Sequence, residues 1–272
     1  MLMTDLEGVA GVLNNHDWTS PDGRFNEKRI RLLTEEVNAA VDGLFAGGAR
    51  EVVIVDGHGS GAIDPEILDE RAQLSRGRHE QVWPWGLDNT FHGLGFVGQH
   101  AKAGTPYSHI THTQNMRYID LSINGVSIGE YGQLALCAME LGIPTIFACG
   151  EQALAVEAEN LTPGVITVAV KRGLLPDGLD HLSAEEYKKA KLSAIHVSPK
   201  KSRALIRHGA FKAAERLRND PRSFSYPKFA PPYVRTARFR TLEDKPAYQA
   251  RDEHPNSITS LMNMPFTPLV TP

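Results

Sequence analysis

The sequence predicts an α/β fold, a mostly parallel sheet flanked by helices with a smaller C-terminal α+β part. Three observations carry that prediction. A short apolar run at 2–6, a helix-spaced stretch and the β-branched run EVVIV at 51–55 open the chain in strand–helix–strand order. Further apolar runs at 94–97, 144–149 and 164–170 alternate with stretches of helical spacing. From about residue 172 the composition turns charged and then proline-rich.

Each element has a local reason. Residues 2–6 read as the first strand. In 26–45, Ile30, Leu33, Val37, Val41 and Leu44 recur every three or four residues, and Gly47-Gly48 ends the run. The 51–55 run has the character of a parallel strand buried on both faces, and 94–97 reads as another. YIDLSINGVSI at 118–128 sets Asn124-Gly125 between alternating residues, a hairpin signal. Residues 129–141 read as a helix, 144–149 as a strand, 151–160 as a helix and 164–170 as a strand. Beyond these, 183–192 and 198–218 read as charged helices. The second has Ser198 as N-cap and Pro199 at the first helical position. Residues 234–240 form a candidate strand. The tail from 254 holds too many prolines for a regular element. A soft boundary near 172 separates a metal-binding α/β catalytic domain, 1–172, from a smaller α+β domain, 173–272.

Composition narrows the function. A chain of 272 residues with 41% hydrophobic content is ordinary for a globular protein and can bury a substantial core. A net charge of −3 offers no basic groove, so nucleic acid is not expected as a partner. No eighteen-residue apolar run is present, so no membrane helix is expected. Cys137 and Cys149 lie in apolar segments and read as buried free thiols. No signal peptide is visible, which points to the cytoplasm. Only four residues precede Asp5, so an exported form with a trimmed leader is the alternative.

The chemistry concentrates where strands end. Asp5 and Glu7 close the first strand, and alternation would set them on one face. Two adjacent carboxylates need a proton or a cation between them. His58 follows the 51–55 strand and His100 follows the 94–97 strand. Open α/β sheets bind ligands outside the carboxyl ends of their strands. Carboxylates with imidazoles suit zinc, and also manganese or cobalt. Shared carboxylates suit a pair of ions. Singly, each feature is ordinary. An isolated Asp-x-Glu is usually a solvated strand end, His58 suits a turn, and a lone His100 is by default a satisfied core residue. DGHGSG lacks the spacing of a phosphate-binding loop. The joint pattern at three strand ends favours a metal site.

With these residues in view, TDLEGVAG resembles the Ser/Thr-x-Asp-x-Glu-Gly signature of the D-aminopeptidase family of dinuclear-zinc metallopeptidases. VDGHGS, GLDNTFHGLGFVGQHAKAGTP, THTQ and NGVSIGEYGQLALCAMELGIPTIFACGE resemble its later segments in order, and EAENLTPGVITVAVKRGL also fits. The likeness is good over about 1–173. It implies that Asp5 bridges two zinc ions, that Glu7 and His100 complete one site, and that His58 and Glu130 complete the other. It also implies that His112 is catalytic. His109 is the rival position, but Thr111-His112 fits the family's Ser-His pair and keeps the distance to Glu130. Lys102 stands where the family often has arginine. The stretch 174–188 is longer than the pattern, and similarity is loose from about Tyr233.

What the resemblance implies is an aminopeptidase that cuts the N-terminal peptide bond of short peptides beginning with D-residues, notably D-alanine. It also implies a ring-shaped homo-oligomer, a decamer. Two other readings use the same residues: a dinuclear-metal phosphoesterase, and a non-catalytic, metal-containing peptide-binding protein. Arg117 is the one arginine near these motifs that could clamp a phosphate.

Overall fold

The computed structural model describes residues 1–59, 61–77 and 81–269. Ser60 of the VDGHGS motif and the last three residues of the tail lie outside them. In chain order the elements begin with β1 (Leu2–Thr4), α1 (Asn26–Ala46), β2 (Val52–Asp56), β3 (Ala72–Ser75) and β4 (Leu94–Gln99). β5 (Tyr118–Ile123), β6 (Val126–Ser127), α2 (Glu130–Glu140), β7 (Thr145–Glu151), α3 (Gln152–Leu161) and β8 (Ile166–Gly173) follow. The last part contains α4 (Ala184–Lys188), β9 (Ala194–His196), α5 (Pro199–Asn219), β10 (Tyr233–Phe239), β11 (Tyr248–His254) and α6 (Ile258–Asn263).

Seven strands form one sheet in the order β3-β2-β1-β4-β7-β8-β9, parallel throughout except for the β8–β9 pair. The second sheet is antiparallel, in the order β11-β10-β5-β6. On one face of the large sheet, α1 and α5 bury Leu33, Val37, Val41, Ile206 and Ala210 against Ile54 and Phe147. On the other, α2 and α3 bury Leu134, Leu154 and Leu161 in a core that continues into the small sheet and α6. The mostly parallel α/β architecture agrees with the sequence. None of the described helices is long and apolar enough to cross a membrane. Cys137 and Cys149 are free and buried.

The expected boundary near 172 falls at the end of β8. β9 extends the large sheet from beyond it, and β5 and β6 enter the small sheet from before it.

Some local expectations change. The first strand stops at Thr4, so Asp5 and Glu7 lie past its end. The helix expected over 183–192 is the five-residue α4. It opens with a capping box between Ser183 and Glu186, and the chain turns away as Lys191 takes a φ of 54°. The tail is not irregular throughout. Its prolines flank α6, whose first amides, Ile258 and Thr259, donate to the Glu140 carboxylate at 2.9 and 3.0 Å. A helix this short is marginal alone, and the acid from the end of α2 satisfies its open amino end. β11 went unread because its inward residues are Ala250 and Asp252. Asp252 is buried only because Arg235 of β10 meets it at 2.7 Å.

One buried acid fastens the turn after β1 to both helices behind it. Glu36 of α1 accepts from the Ala10 amide at 3.1 Å and from the Ser202 hydroxyl of α5 at 2.5 Å. Burial pushes its carboxyl up from 4.5 to about 7. The folded-state value therefore exceeds the unfolded one. The contribution of this group to stability is full below about pH 4.5 and is lost as the pH rises through about 7. Glu36→Gln keeps an acceptor for both donors and removes the ionisation. Between about pH 4 and pH 9 its stability should rise relative to the parent by up to about 3 kcal/mol in urea unfolding. Parallel pH curves for the two proteins would exclude the buried ionisation.

Candidate metal centre

β1 has β2 on one side and β4 on the other, all parallel. The chain leaves β1 for β2 and later returns as β4, so the strand order reverses here, and a crevice opens at the carboxyl ends. Asp5 directly follows β1, His58 stands two residues past β2, and His100 directly follows β4. Glu130 opens α2, and His112 lies in the loop between β4 and β5.

Close backbone approach makes this convergence. The Asp5 amide donates to Val97 O at 2.9 Å, and the Gly8 amide donates to Gly98 O at 2.7 Å. A Cβ on Gly8 would lie 2.1 Å from Gln99 O. Gly98 has a φ of 74°, and its Cβ would lie 2.0 Å from Asp5 O. Only a chain without side chains at both positions lets the two strand ends meet. The turn, rather than strand alternation, therefore aligns Asp5 with Glu7.

The donor atoms face one another. His58 Nδ1 lies 3.1 Å from both Asp5 Oδ1 and Glu7 Oε2. His100 Nε2 lies 3.1 Å from Asp5 Oδ2 and 3.6 Å from Glu130 Oε1. His112 Nε2 is 3.9 Å from the same Glu130 oxygen, and its ring stacks on His100 at 4.4 Å. Asp5, Glu7 and His100 form a compact triplet whose ligand atoms lie within 4.8 Å of one another, and His100, His112 and Glu130 form a second. The first contains the Glu7–His100 set that the resemblance assigns to one site. His58 lies against both acids of that triplet.

Each imidazole spends its far nitrogen on a carbonyl. His58 Nε2 donates to Thr19 O at 3.0 Å, and His100 Nδ1 donates to Ala101 O at 2.8 Å. The near nitrogens are left toward the acids, the arrangement a metal-ligating histidine uses. Gln99 Nε2 adds a donor to Asp5 Oδ2 at 2.9 Å. The Gln114 amide donates to Glu130 Oε1 at 2.6 Å. Glu7 Oε2 and His100 Nε2 are buried and, despite these short approaches, have no hydrogen-bond partner of acceptable geometry.

The electrostatics ask for positive charge. Burial alone would raise the Asp5 carboxyl, but His100 and His58 hold it well below its usual value. Glu7 is likewise lowered, with burial opposed by His58. Burial works against the charged form of His58, yet Glu7 and Asp5 push it up to about 11. His100 is raised for the same reason by Glu130 and Asp5. Glu130 moves up, because burial outweighs His100.

His109 is built differently. Its Nε2 donates to Leu13 O at 3.2 Å, and its Nδ1 accepts from Lys171 Nζ at 3.0 Å. Burial and the Lys171 charge press it down to about 2. Both nitrogens are committed to hydrogen bonds away from the crevice. The Lys171 ammonium also donates to Glu7 O. Glu151, at the end of β7, accepts from the Ala101 amide at 2.8 Å and from the His109 amide at 2.7 Å. Neither residue was expected. Glu151 could have been found by applying the strand-end rule to a fourth strand, whereas nothing local marks Lys171.

A cavity of about 380 Å³ opens here, lined by Asp5, His58, His112, Gln114 and Glu130 among others. A larger one, about 1,090 Å³, lies at the opposite, amino-terminal edge of the strands around Met1, Gly93 and Pro144. None of the candidate ligands lines it.

Comparison with known proteins agrees with the fold. The sequence matches the family description D-aminopeptidase over residues 1–249. The chain belongs to the D-aminopeptidase family. The family match takes in every candidate ligand and the extra stretch 174–188, and it ends inside β11. A D-aminopeptidase of Bacillus subtilis (strain 168) is 34% identical over 188 residues, covering 67% of this chain and 66% of that protein. The aligned part thus spans just under two thirds of the relative's length. The solved structure of the Zn-dependent D-aminopeptidase DppA from Bacillus subtilis, described as a self-compartmentalizing protease, has the same fold. Its TM-score is 0.79 at 23% identity, over 97% of this chain and 95% of that one.

Gly98→Ala should force Asp5 and His100 apart. The expected result is a lower thermal midpoint and less divalent metal retained per chain by elemental analysis. Unchanged metal content in a folded Gly98→Ala protein would exclude this account of the convergence.

Proposed function

We propose that this chain is a zinc-dependent aminopeptidase that hydrolyses the N-terminal peptide bond of short peptides beginning with a D-residue. One observation carries the reading. Glu7 Oε2 and His100 Nε2 are buried, face opposite partners and make no hydrogen bond. A cation between them satisfies both, and the acid–imidazole donor set suits zinc, with manganese or cobalt as substitutes. Asp5, Glu7 and His100 would hold one ion, and Asp5, His58 and Glu130 the other, with Asp5 shared. When bound, such ions polarise the scissile carbonyl and activate water at neutral pH.

The chain's own residues supply the rest. His112 is the proposed proton carrier. Its Nδ1 lies 3.4 Å from Ile110 O, and its ring lines the cavity. Stacking on His100 fixes the ring plane beside the ligands. The imidazole is thus set to pass a proton to the leaving amine or to hydrogen-bond the developing oxyanion. Gln114, through its backbone amide, orients the Glu130 carboxylate.

The phosphoesterase reading finds less support. Among the described residues that line the cavity there is no arginine. Arg117 instead reaches Pro246 O at 3.2 Å and lies over the Tyr248 ring. Assembly into a ring-shaped homo-oligomer, a decamer by resemblance, belongs to the proposal, as does a cytoplasmic setting. The neighbour described as self-compartmentalizing supports the first. The two free cysteines support the second.

The deciding assay compares matched D- and L-dipeptides with a phosphate ester, with zinc and with a chelator. Release of the N-terminal D-residue that chelator abolishes is expected, and hydrolysis of the ester alone would overturn the proposal. Asp5→Ala should lose both ions, and two metals retained per chain would rule out the bridging role. His112→Ala should keep its metal while activity falls by about two to four decades. Persisting activity, or loss of metal, would remove His112 from the proton-transfer role.

A further inference from the structure

The cavity beside the candidate ligands has a wall that the proposed chemistry does not use. Trp83 and Trp85 line it together with Met3 and Leu134. The two indoles meet edge to face, with centroids 6.5 Å apart and planes at 87°. This wall is held from behind. The Trp83 amide donates to Asn263 Oδ1 at 3.1 Å, and Asn263 Nδ2 donates back to Trp83 O at 2.9 Å. The Trp85 amide donates to Val82 O at 2.8 Å, closing a tight turn.

The backbone at Trp85 is unusual. Its φ is 59°, in the left-handed region, where a bulky side chain is a genuine outlier. A glycine would sit there without strain, as Gly86 does next to it at a φ of 75°. A tryptophan kept at a strained position that borders a cavity points to work for the ring.

Resting on the aminopeptidase reading, we propose that Trp83 and Trp85 form the pocket for the substrate's N-terminal side chain. We further propose that the pocket selects a bulky apolar residue, aromatic or branched, over alanine. The amine and scissile carbonyl of the first residue must lie at the acid–imidazole cluster. Its own side chain is therefore the group that meets the adjoining wall. A cavity of about 380 Å³ is in the range that takes small-molecule ligands, and a single methyl group leaves most of the indole surface without contact. Indole faces and edges pack well on aromatic and aliphatic groups. The alanine preference that the family resemblance implied thus shifts, in this chain, to larger side chains.

The test uses the zinc-loaded parent, Trp85→Ala and Trp85→Phe with dipeptides that share a second residue and begin with D-Ala, D-Leu or D-Phe. In the parent, kcat/KM for the D-Phe or D-Leu peptide should exceed that for D-Ala by about tenfold or more, the scale of an added apolar contact in a pocket. That ratio should collapse toward one in Trp85→Ala and recover in part in Trp85→Phe. A parent ratio of one or below, or a ratio that Trp85→Ala leaves intact, overturns the assignment. Calorimetry with D-phenylalaninol and D-alaninol reads the pocket without turnover. Tighter binding of the first by about tenfold supports the assignment, and equal binding overturns it. If no peptide is cleaved but that binding preference is present, the aminopeptidase reading fails while the pocket stands.

Discussion

The structure depends on one constraint: carboxylates placed in a buried crevice must be met by positive charge. Asp5 and Glu7 are nearly inaccessible to water. Unmatched, two such charges would make the fold untenable. Two imidazoles answer them at 3.1 Å, and the oxygen and nitrogen left without hydrogen bonds mark where a cation fits. Much of the surrounding architecture keeps that match in place. Gly8 and Gly98 let the two strand ends touch. Glu151 ties the start of the loop after His100 to the His109 amide, two steps before the Thr111-His112 pair. Lys171 supplies a fixed positive charge behind Glu7. Burial lowers its pKa to about 8, and Glu151, Glu7 and Glu36 oppose that fall.

The extra stretch beyond β8 acts on the same loop. The Tyr187 hydroxyl of α4 accepts from the Gly104 amide at 3.1 Å, while Arg240 lies over the Tyr187 ring at 4.0 Å. Lys191 Nζ donates to Thr105 O at 2.6 Å. A long loop carrying the proposed proton carrier needs such bracing, because its own backbone makes few regular hydrogen bonds. The loop from 101 to 113 gains its rigidity from residues some 80 positions later in the chain.

What was legible in the sequence follows from locality. Parallel strands such as 51–55 announce themselves, because burial on both faces demands a continuous β-branched run. Asn124-Gly125 announces a hairpin, because both residues take positive φ, 49° and 79°. His58 and His100 were readable from their place after such strands. Glu130 was not: an acid at a helix start has an ordinary electrostatic reason to be there, and only the family resemblance singled it out. The close approach of the imidazoles to the acids was also illegible. It is set by the turn after β1 and by two carbonyls, Thr19 O and Ala101 O, that orient the rings. β11 and α6 were missed for a further reason. Their stability comes from partners far along the chain, Arg235 for one and Glu140 for the other.

Those distant partners connect the tail to the cavity. Arg235 is almost fully buried, pairs with Asp252 and stacks over Phe266 at 3.9 Å. It also donates to Met264 O at 3.0 Å and Pro265 O at 3.1 Å, just past the end of α6. Removing one member of such a pair leaves a buried charge unmatched, at a cost of about 3–5 kcal/mol. The helix it secures carries Asn263, whose side chain grips Trp83 from both sides. An ion pair in the small sheet therefore fixes the position of an aromatic wall beside the large sheet. The part of the chain that departs most from the recognisable pattern thereby acquires a physical role. It leaves the acid and imidazole cluster to the strands and sets the shape of the space next to it, so that substrate preference can change while the cluster stays as it is.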